Sequence, residues 1–228
     1  KMRIFENQTE DDAAVLNADD AAVSRYAPSR PQVFWFSRRK RVASGCFLRG
    51  EEIVFRRDGA ETVLLRRGNI GLRGDHNVEN VLAAAVAAKL VGVEPAAIAE
   101  GVRSFAGVEH RLEYVATISG VEYFNDSKAT NVDATLKALD AFPGNVLVIL
   151  GGKDKGSDYT ILREAVRRHA RMVLLIGAAA EKIEAQLGGI VPAERAGTMA
   201  SAVEIAAARA QPGDTVLLAP ACASFDQF

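Results

Sequence analysis

The chain has 228 residues, of which 49% are apolar and 25% charged, and its net charge at pH 7 is -1. That is an ordinary globular composition, enough for one large domain or two modest ones. A charge so near zero speaks against a general nucleic-acid or anionic-membrane binder, and no apolar run approaches the length of a bilayer span.

The opening Lys1-Met2-Arg3-Ile4-Phe5-Glu6-Asn7-Gln8 has no apolar core and is not a signal peptide. It begins with Lys1 before Met2, and the chain stops at Phe228 directly after a motif, so the expectation is a chain cut at both ends. The first apolar run, Ala13 to Leu16, predicts a buried strand ending in the acidic loop Asn17-Ala18-Asp19-Asp20. Further strands are predicted over Gln32–Ser37, Arg41–Leu48, Glu51–Arg57 and Glu61–Arg66, with Asp58-Gly59 as a hairpin turn. This stretch reads as antiparallel.

The period then changes. Asp75 is placed to N-cap a helix that runs through Val78, Val81, Leu82, Ala85 and Ala88 to Leu90 and stops at Gly92. A second helix is predicted from Pro95 to about Phe105. Gly107 marks a domain boundary, which divides the chain into residues 1–107 and 108–228.

Beyond it, apolar strands alternate with amphipathic helices. Strands are expected at Val121–Phe124, Val146–Leu150, Met172–Ile176 and Thr215–Ala219, with a weaker one near Glu194–Ala196. Helices are expected at Asn131–Ala141, Thr160–Ala170, Ala179–Leu187 and Met199–Ala210. The pattern implies an α/β fold class, a doubly wound, Rossmann-like parallel sheet covered on both faces. The two cysteines, Cys46 and Cys222, form neither a disulfide framework nor a zinc pattern. They read as buried small apolar residues in a reducing compartment.

Ligands of open α/β sheets bind beyond the carboxyl ends of the strands. Three of those loops are polar and specific. Asn125-Asp126-Ser127-Lys128-Ala129-Thr130-Asn131 precedes a helix N-terminus, which suits phosphate or carboxylate. Asp126 is suited to ribose hydroxyls and Lys128 to an anion, although plain capping by Thr130 or Asn131 explains part of the loop. Gly151-Gly152-Lys153-Asp154-Lys155-Gly156-Ser157 combines close backbone approach with positive charge but is not a Walker A loop, and the chain holds none. A flexible surface turn is the plainer alternative. Pro220-Ala221-Cys222-Ala223-Ser224-Phe225-Asp226 leads into a hydroxyl suited to a carboxylate, or is a packed strand-to-helix turn. All three should fall on one edge of one sheet.

Two more features stand apart. In Asp75-His76-Asn77-Val78-Glu79-Asn80, Asn77 and Asn80 lie one helical turn apart, so both carboxamides can read a purine edge, or simply meet solvent. Arg111, in Glu109-His110-Arg111-Leu112-Glu113, suits a phosphate. His110 reads as a hydrogen-bonding residue and His169 as part of a solvated helix face.

Together, Gly74-Asp75-His76-Asn77-Val78-Glu79-Asn80, His110-Arg111-Leu112-Glu113, Asn125 to Asn131, Gly151 to Gly156 and Pro220 to Asp226 resemble, in order and spacing, the Mur ligases. The glycine–lysine loop and the final loop resemble the D-glutamate-adding branch of that family. The resemblance covers nearly the whole chain. It implies that residues 1–107 are the later part of a central ATPase domain and 108–228 most of a C-terminal Rossmann-like domain. It implies a cytoplasmic, monomeric, ATP-dependent peptidoglycan enzyme that joins D-glutamate to UDP-N-acetylmuramoyl-L-alanine through an acyl phosphate, without nucleic-acid or membrane partners. By resemblance Asn77 and Asn80 face adenine, Arg111, Asp126 and Lys128 serve the ribose, phosphates and catalysis, and Thr130, Lys155, Ser224 and Phe225 hold D-glutamate.

The family's Gly-Lys-Ser/Thr loop, its Mg2+ ligands, its modified lysine and its UDP-binding domain are absent, and are expected upstream of Lys1. The family's final helix is expected after Phe228. The chain alone is therefore expected to be inactive. Two competing readings are a sibling amide ligase, such as another Mur ligase or a folylpolyglutamate synthase, and a non-catalytic nucleotide- or amino-acid-binding module. The absence of an Asp-Asn-Pro-Arg motif disfavours the diaminopimelate-adding sibling.

Overall fold

The computed structural model describes residues 2–26 and 28–223. The chain divides into two compact units, residues 1–106 and 107–228.

In the first unit the described residues form a five-stranded sheet ordered β1-β2-β3-β4-β5: β1 Ala13–Asn17, β2 Gln32–Ser37, β3 Gly45–Arg49, β4 Glu52–Arg57 and β5 Ala60–Arg66. The expected antiparallel character holds only for β3, β4 and β5; β1, β2 and β3 are parallel. The hairpin signal at Asp58-Gly59 is local, and the pair has φ of 53° and 80°. Between β1 and β2, and between β2 and β3, the chain returns to run in the same direction. β3 starts later than the sequence suggested. Gly45, at φ 123°, passes so close to Trp35 that a Cβ there would lie 1.9 Å from the Trp35 carbonyl oxygen, and pairing begins only at that residue.

Helix α1, Asp75–Leu90, and helix α2, Pro95–Ser104, pack on one sheet face. Val78, Val81, Leu82, Ala85 and Val86 of α1 meet Phe34, Cys46, Ile53 and Phe55 of the strands. Ala18, Val42, Phe47 and Val54 form a smaller cluster with Trp35. The N-cap of α1 is Gly74, not Asp75. Asp75 sits in the first turn, where its charge suits the helix dipole, and pairs with Arg38 at 2.6 Å and Arg67 at 2.8 Å. At the other end, the Gly92 N–H donates to Lys89 O and the Val93 N–H to Ala88 O, the Schellman pattern that closes a helix on a left-handed glycine.

In the second unit the described residues form a six-stranded sheet ordered β10-β9-β8-β11-β7-β6. Its strands are β6 Glu113–Ile118, β7 Val121–Asn125, β8 Val146–Gly151, β9 Ala170–Ile176, β10 Ala193–Gly197 and β11 Thr215–Leu218. All pairings are parallel except β6–β7. Helices α3 Val132–Leu139, α4 Arg163–His169, α5 Ala180–Leu187 and α6 Met199–Arg209 connect them, with a 3₁₀ turn, Tyr159–Leu162, leading into α4.

Crossover handedness sets the layers. The steps β7 to β8, β8 to β9 and β9 to β10 run one way along the sheet, and right-handed connections put α3, α4 and α5 on one face. The step from β10 back to β11 reverses direction, so α6 lands on the other face. The cores agree: Val146, Val148 and Leu150 pack with Leu139, Val166 and Ile183, whereas Leu147 and Ile149 pack with Ala202 and Ala206. Every residue of β8 is buried, which is why it reads as an unbroken apolar run.

His169 departs from expectation. It lies at the end of α4 with its side chain 14% exposed and Nε2 3.2 Å from Asp140, rather than on a solvated face.

Candidate functional site

The three loops singled out in the sequence follow β7, β8 and β11, and the sheet order makes those three strands neighbours: β8, then β11, then β7. Their carboxyl ends form one continuous edge. The loop after β11 lies in the middle and is bonded to both others. The Ala221 N–H donates to Ala129 O at 2.8 Å, and the Asp126 N–H donates to Leu218 O at 2.8 Å. On the other side the Gly151 N–H donates to Pro220 O at 2.9 Å and the Lys153 N–H to Ala223 O at 2.8 Å. Beneath them the buried Thr135 hydroxyl of α3 donates to Ala219 O at 3.1 Å.

The loop after β7 carries Asp126, Lys128 and Thr130. Asn131 is the N-cap of α3; its side chain accepts from the Ala134 N–H at 2.9 Å. Asp126 is 9% exposed. Burial pushes its carboxyl above the usual range, and the Leu112 N–H and the Arg111 guanidinium pull it back. Arg111 is thus near enough to act on the Asp126 charge, without an ion pair to it among the described residues. Arg111 lies between two residues with left-handed backbones, His110 at φ 65° and Leu112 at φ 43°. Two carboxylates hold that turn: Glu113 accepts from the His110 N–H at 2.9 Å, and Asp126 accepts from the Leu112 N–H. Asn125 Nδ2 donates to His110 Nδ1 at 2.9 Å, so His110 is a hydrogen-bonding residue here.

The loop after β8 is built on glycine. A Cβ at Gly151 would lie 1.9 Å from Ile176 O, and one at Gly152 2.4 Å from Ala223 O. Only residues without a Cβ let the end of β8 approach β9 and the loop after β11 this closely. Asp154 is the hub of the loop. Its Oδ1 accepts from the Gly156 and Ser157 N–H groups and from the Tyr159 hydroxyl at 2.9 Å, and its Oδ2 meets Lys182 Nζ at 2.8 Å. Lys182, with help from Tyr159 and Ser157, lowers the Asp154 carboxyl to about 2. The Tyr159 hydroxyl also meets Cys222 Sγ at 3.0 Å, so it touches the loop after β11 as well.

Lys128, Lys153 and Lys155 are exposed, and no ion pair among the described residues involves them. The edge therefore concentrates cations without counterions, next to one buried carboxylate and several fixed backbone turns. It is suited to an anionic ligand. Ser224 and Phe225 lie outside the described residues.

Asn77 and Asn80 belong to the first unit. Asn77 Nδ2 donates to Arg73 O at 2.7 Å, and Asn80 Nδ2 donates to Asn77 Oδ1 at 3.1 Å. The two carboxamides are joined to each other, on one face of α1. The first turn of α1 is fastened by Arg38, which meets Asp75 at 2.6 Å and Glu79 at 3.5 Å.

Sequence reasoning assigned no role to Tyr159, Lys182, Glu113 or Thr135. Tyr159 left a faint signal, an aromatic ring in a run of charged and hydroxyl residues. Lys182 left none, because the face of α5 that meets the loop is fixed only by the sheet order. Among the described residues no group of three His, Cys, Asp or Glu side chains is placed to hold a metal ion, and no helix is long and apolar enough to cross a membrane.

Two Mur ligase domain families match parts of this chain. The Mur ligase middle-domain family matches residues 1–88, and the Mur ligase glutamate ligase domain matches residues 110–222. UDP-N-acetylmuramoylalanine--D-glutamate ligases are similar along all of this chain: 58% identical in Solibacter usitatus, 54% in Acidobacterium capsulatum and 52% in Koribacter versatilis. The chain spans about half of each, 51%, 50% and 50% respectively. Among solved structures, MurF from Acinetobacter baumannii aligns with a TM-score of 0.71 at 17% identity, over 97% of this chain and 51% of that one. A pseudomurein peptide ligase type C from Methanothermus fervidus aligns with a TM-score of 0.68 at 18% identity, over 90% and 53%. With a middle-domain match on the first unit, a glutamate-ligase-domain match on the second and relatives more than half identical throughout, this chain belongs to the Mur ligase family.

Proposed function

We propose that the chain supplies the nucleotide- and amino-acid-binding parts of an ATP-dependent ligase that joins D-glutamate to UDP-N-acetylmuramoyl-L-alanine. The observation that carries this reading is the unbroken similarity, 52–58% over the full chain, to relatives with that name. The cationic edge made by the loops after β7, β8 and β11 supplies the matching chemistry.

In this reading the carboxylate oxygen of UDP-N-acetylmuramoyl-L-alanine takes the γ-phosphoryl group of ATP, the bond to the bridging oxygen breaks, and ADP leaves. The D-glutamate amine then attacks the carbonyl carbon of the acyl phosphate. The tetrahedral adduct expels inorganic phosphate and the nitrogen loses a proton. Asn77 and Asn80 are assigned to the adenine edge, which presents a donor beside an acceptor as a carboxamide does. Arg111 and Lys128 are assigned to the phosphates, where fixed cations stabilise charge that develops during transfer. Asp126 holds the turn that carries Arg111, through the Leu112 N–H, and is assigned to accept from ribose. Thr130 and Lys155, with Ser224 and Phe225, are assigned to the D-glutamate carboxylates, and their work is positioning the amine. A magnesium ion would neutralise phosphate charge; among the described residues no group of three or more His, Cys, Asp or Glu side chains is placed to hold it.

The test is ADP release by the complete ligase polypeptide with UDP-N-acetylmuramoyl-L-alanine and a panel of amino acids. Release is expected with D-glutamate and not with L-lysine, diaminopimelate or L-glutamate; turnover with any of these at a comparable rate would overturn the assignment. Residues 1–228 alone are expected to release no ADP in response to D-glutamate.

A further inference from the structure

Resting on that reading of the edge as the D-glutamate site, we propose that Tyr159 and Lys182 are positioning residues for the acceptor amino acid. Neither lies in a loop assigned to the ligand. They act through Asp154 and Cys222, by locking the loop that carries Lys155 to the loop that leads into Ser224.

The geometry is specific. Tyr159 is completely buried, yet its hydroxyl has two polar partners on different loops, Asp154 Oδ1 at 2.9 Å and Cys222 Sγ at 3.0 Å. Asp154 uses the same oxygen to hold the Gly156 and Ser157 N–H groups, which fixes the backbone on the far side of Lys155. Its second oxygen is taken by Lys182 of α5 at 2.8 Å, and Lys182 Nζ lies 5.4 Å from the Tyr159 ring centroid. The Tyr159 N–H donates to Gln186 Oε1, one turn on along α5, at 2.7 Å. The loop after β8 is thus pinned from below by α5 and from the side by the loop after β11. Lys155 itself is exposed and has no partner among the described residues. Its aim depends on backbone held by Asp154. A buried tyrosine needs a partner for its hydroxyl, but packing alone does not require that hydroxyl to join two ligand loops.

The experiment is steady-state ligation by the complete polypeptide, varying D-glutamate and ATP separately, with Lys155→Ala, Tyr159→Phe, Lys182→Met and Lys182→Arg. Tyr159→Phe keeps the ring and its packing. It is expected to raise KM for D-glutamate about tenfold while KM for ATP and kcat change less than about twofold, the signature of lost substrate positioning. Lys182→Met, on a partly exposed side chain, is expected to do the same at about threefold, and Lys182→Arg to restore most of the loss. A fall in thermal stability with no change in the D-glutamate KM for either Tyr159→Phe or Lys182→Met would mean a merely structural cluster and overturn the inference. If Tyr159→Phe does not fold, Lys182→Met carries the same test. If Lys155→Ala itself leaves the D-glutamate KM unchanged, the site assignment fails. If Lys155→Ala raises it and the other two do not, the site stands and only the positioning role fails.

Discussion

Asp126 is a carboxylate placed where a carboxylate is costly. Burial raises its pKa above the unfolded value, so the folded chain holds its proton longer and stability falls as pH rises through that window. Asparagine at this position keeps an acceptor for the Leu112 N–H without the charge. Asp126→Asn is therefore expected to melt at the same or a higher temperature at pH 7, with an advantage that shrinks toward pH 3, while ligation falls by roughly 10²-fold. A variant destabilised at pH 7 would show that the charge holds the turn around Arg111 together. Asp154 has the opposite sign. Its pKa is depressed from 3.8 to about 2, chiefly by Lys182, so its contribution is present above pH 4 and lost as pH falls toward 2. The difference in melting temperature between wild type and Asp154→Asn should be present at pH 6 and vanish near pH 2. A difference independent of pH would mean that the Lys182 pair contributes nothing electrostatic. Residue chemistry of this kind was half legible: Asp126, Lys128 and Lys155 stood out as charge beside glycine or a helix start. Tyr159 and Lys182 did not, because their importance comes from neighbours distant in sequence.

Among the elements, the central strands were the easiest to read. β8 is buried on both faces and its sequence is a single apolar run, with boundaries within a residue of those expected. β6 was not read at all. Its residues are mostly exposed, so no burial pattern marks it, although Ser119-Gly120, at φ 51° and 79°, is a tight hairpin turn between two β-forming runs. It pairs antiparallel at the sheet edge and positions Glu113, which holds the His110 turn. In α1 the end was read better than the start, since Gly74 rather than Asp75 caps the helix, whereas Gly92 closes it as expected. The close approach of the loops after β8 and β11 gives a prediction at this scale. Gly152→Ala puts a Cβ 2.4 Å from Ala223 O at φ 134°. The clash and the strained backbone together should cost about 2 kcal/mol or more, measured as a lower urea midpoint with an unchanged slope. A cost near zero would mean that the two loops are free to part.

At the scale of the whole molecule, periodicity told the alternation of strands and helices but not their spatial order. Order is a long-range property: nothing local in Thr215–Leu218 says that β11 inserts between β8 and β7. That insertion turns three loops scattered along the sequence into one edge, and the proposed function rests on it. The parallel pairing of β1, β2 and β3 was missed for the same reason, because only the hairpins left local marks. The proposed D-glutamate site lies on that edge. The most direct test is a titration of isotopically labelled residues 1–228 with D-glutamate, followed amide by amide. Shifts are expected in residues 125–131, 151–157 and 221–223, and are expected to be lost in Lys155→Ala. Shifts centred elsewhere, or no response at saturating D-glutamate, would contradict the proposed site.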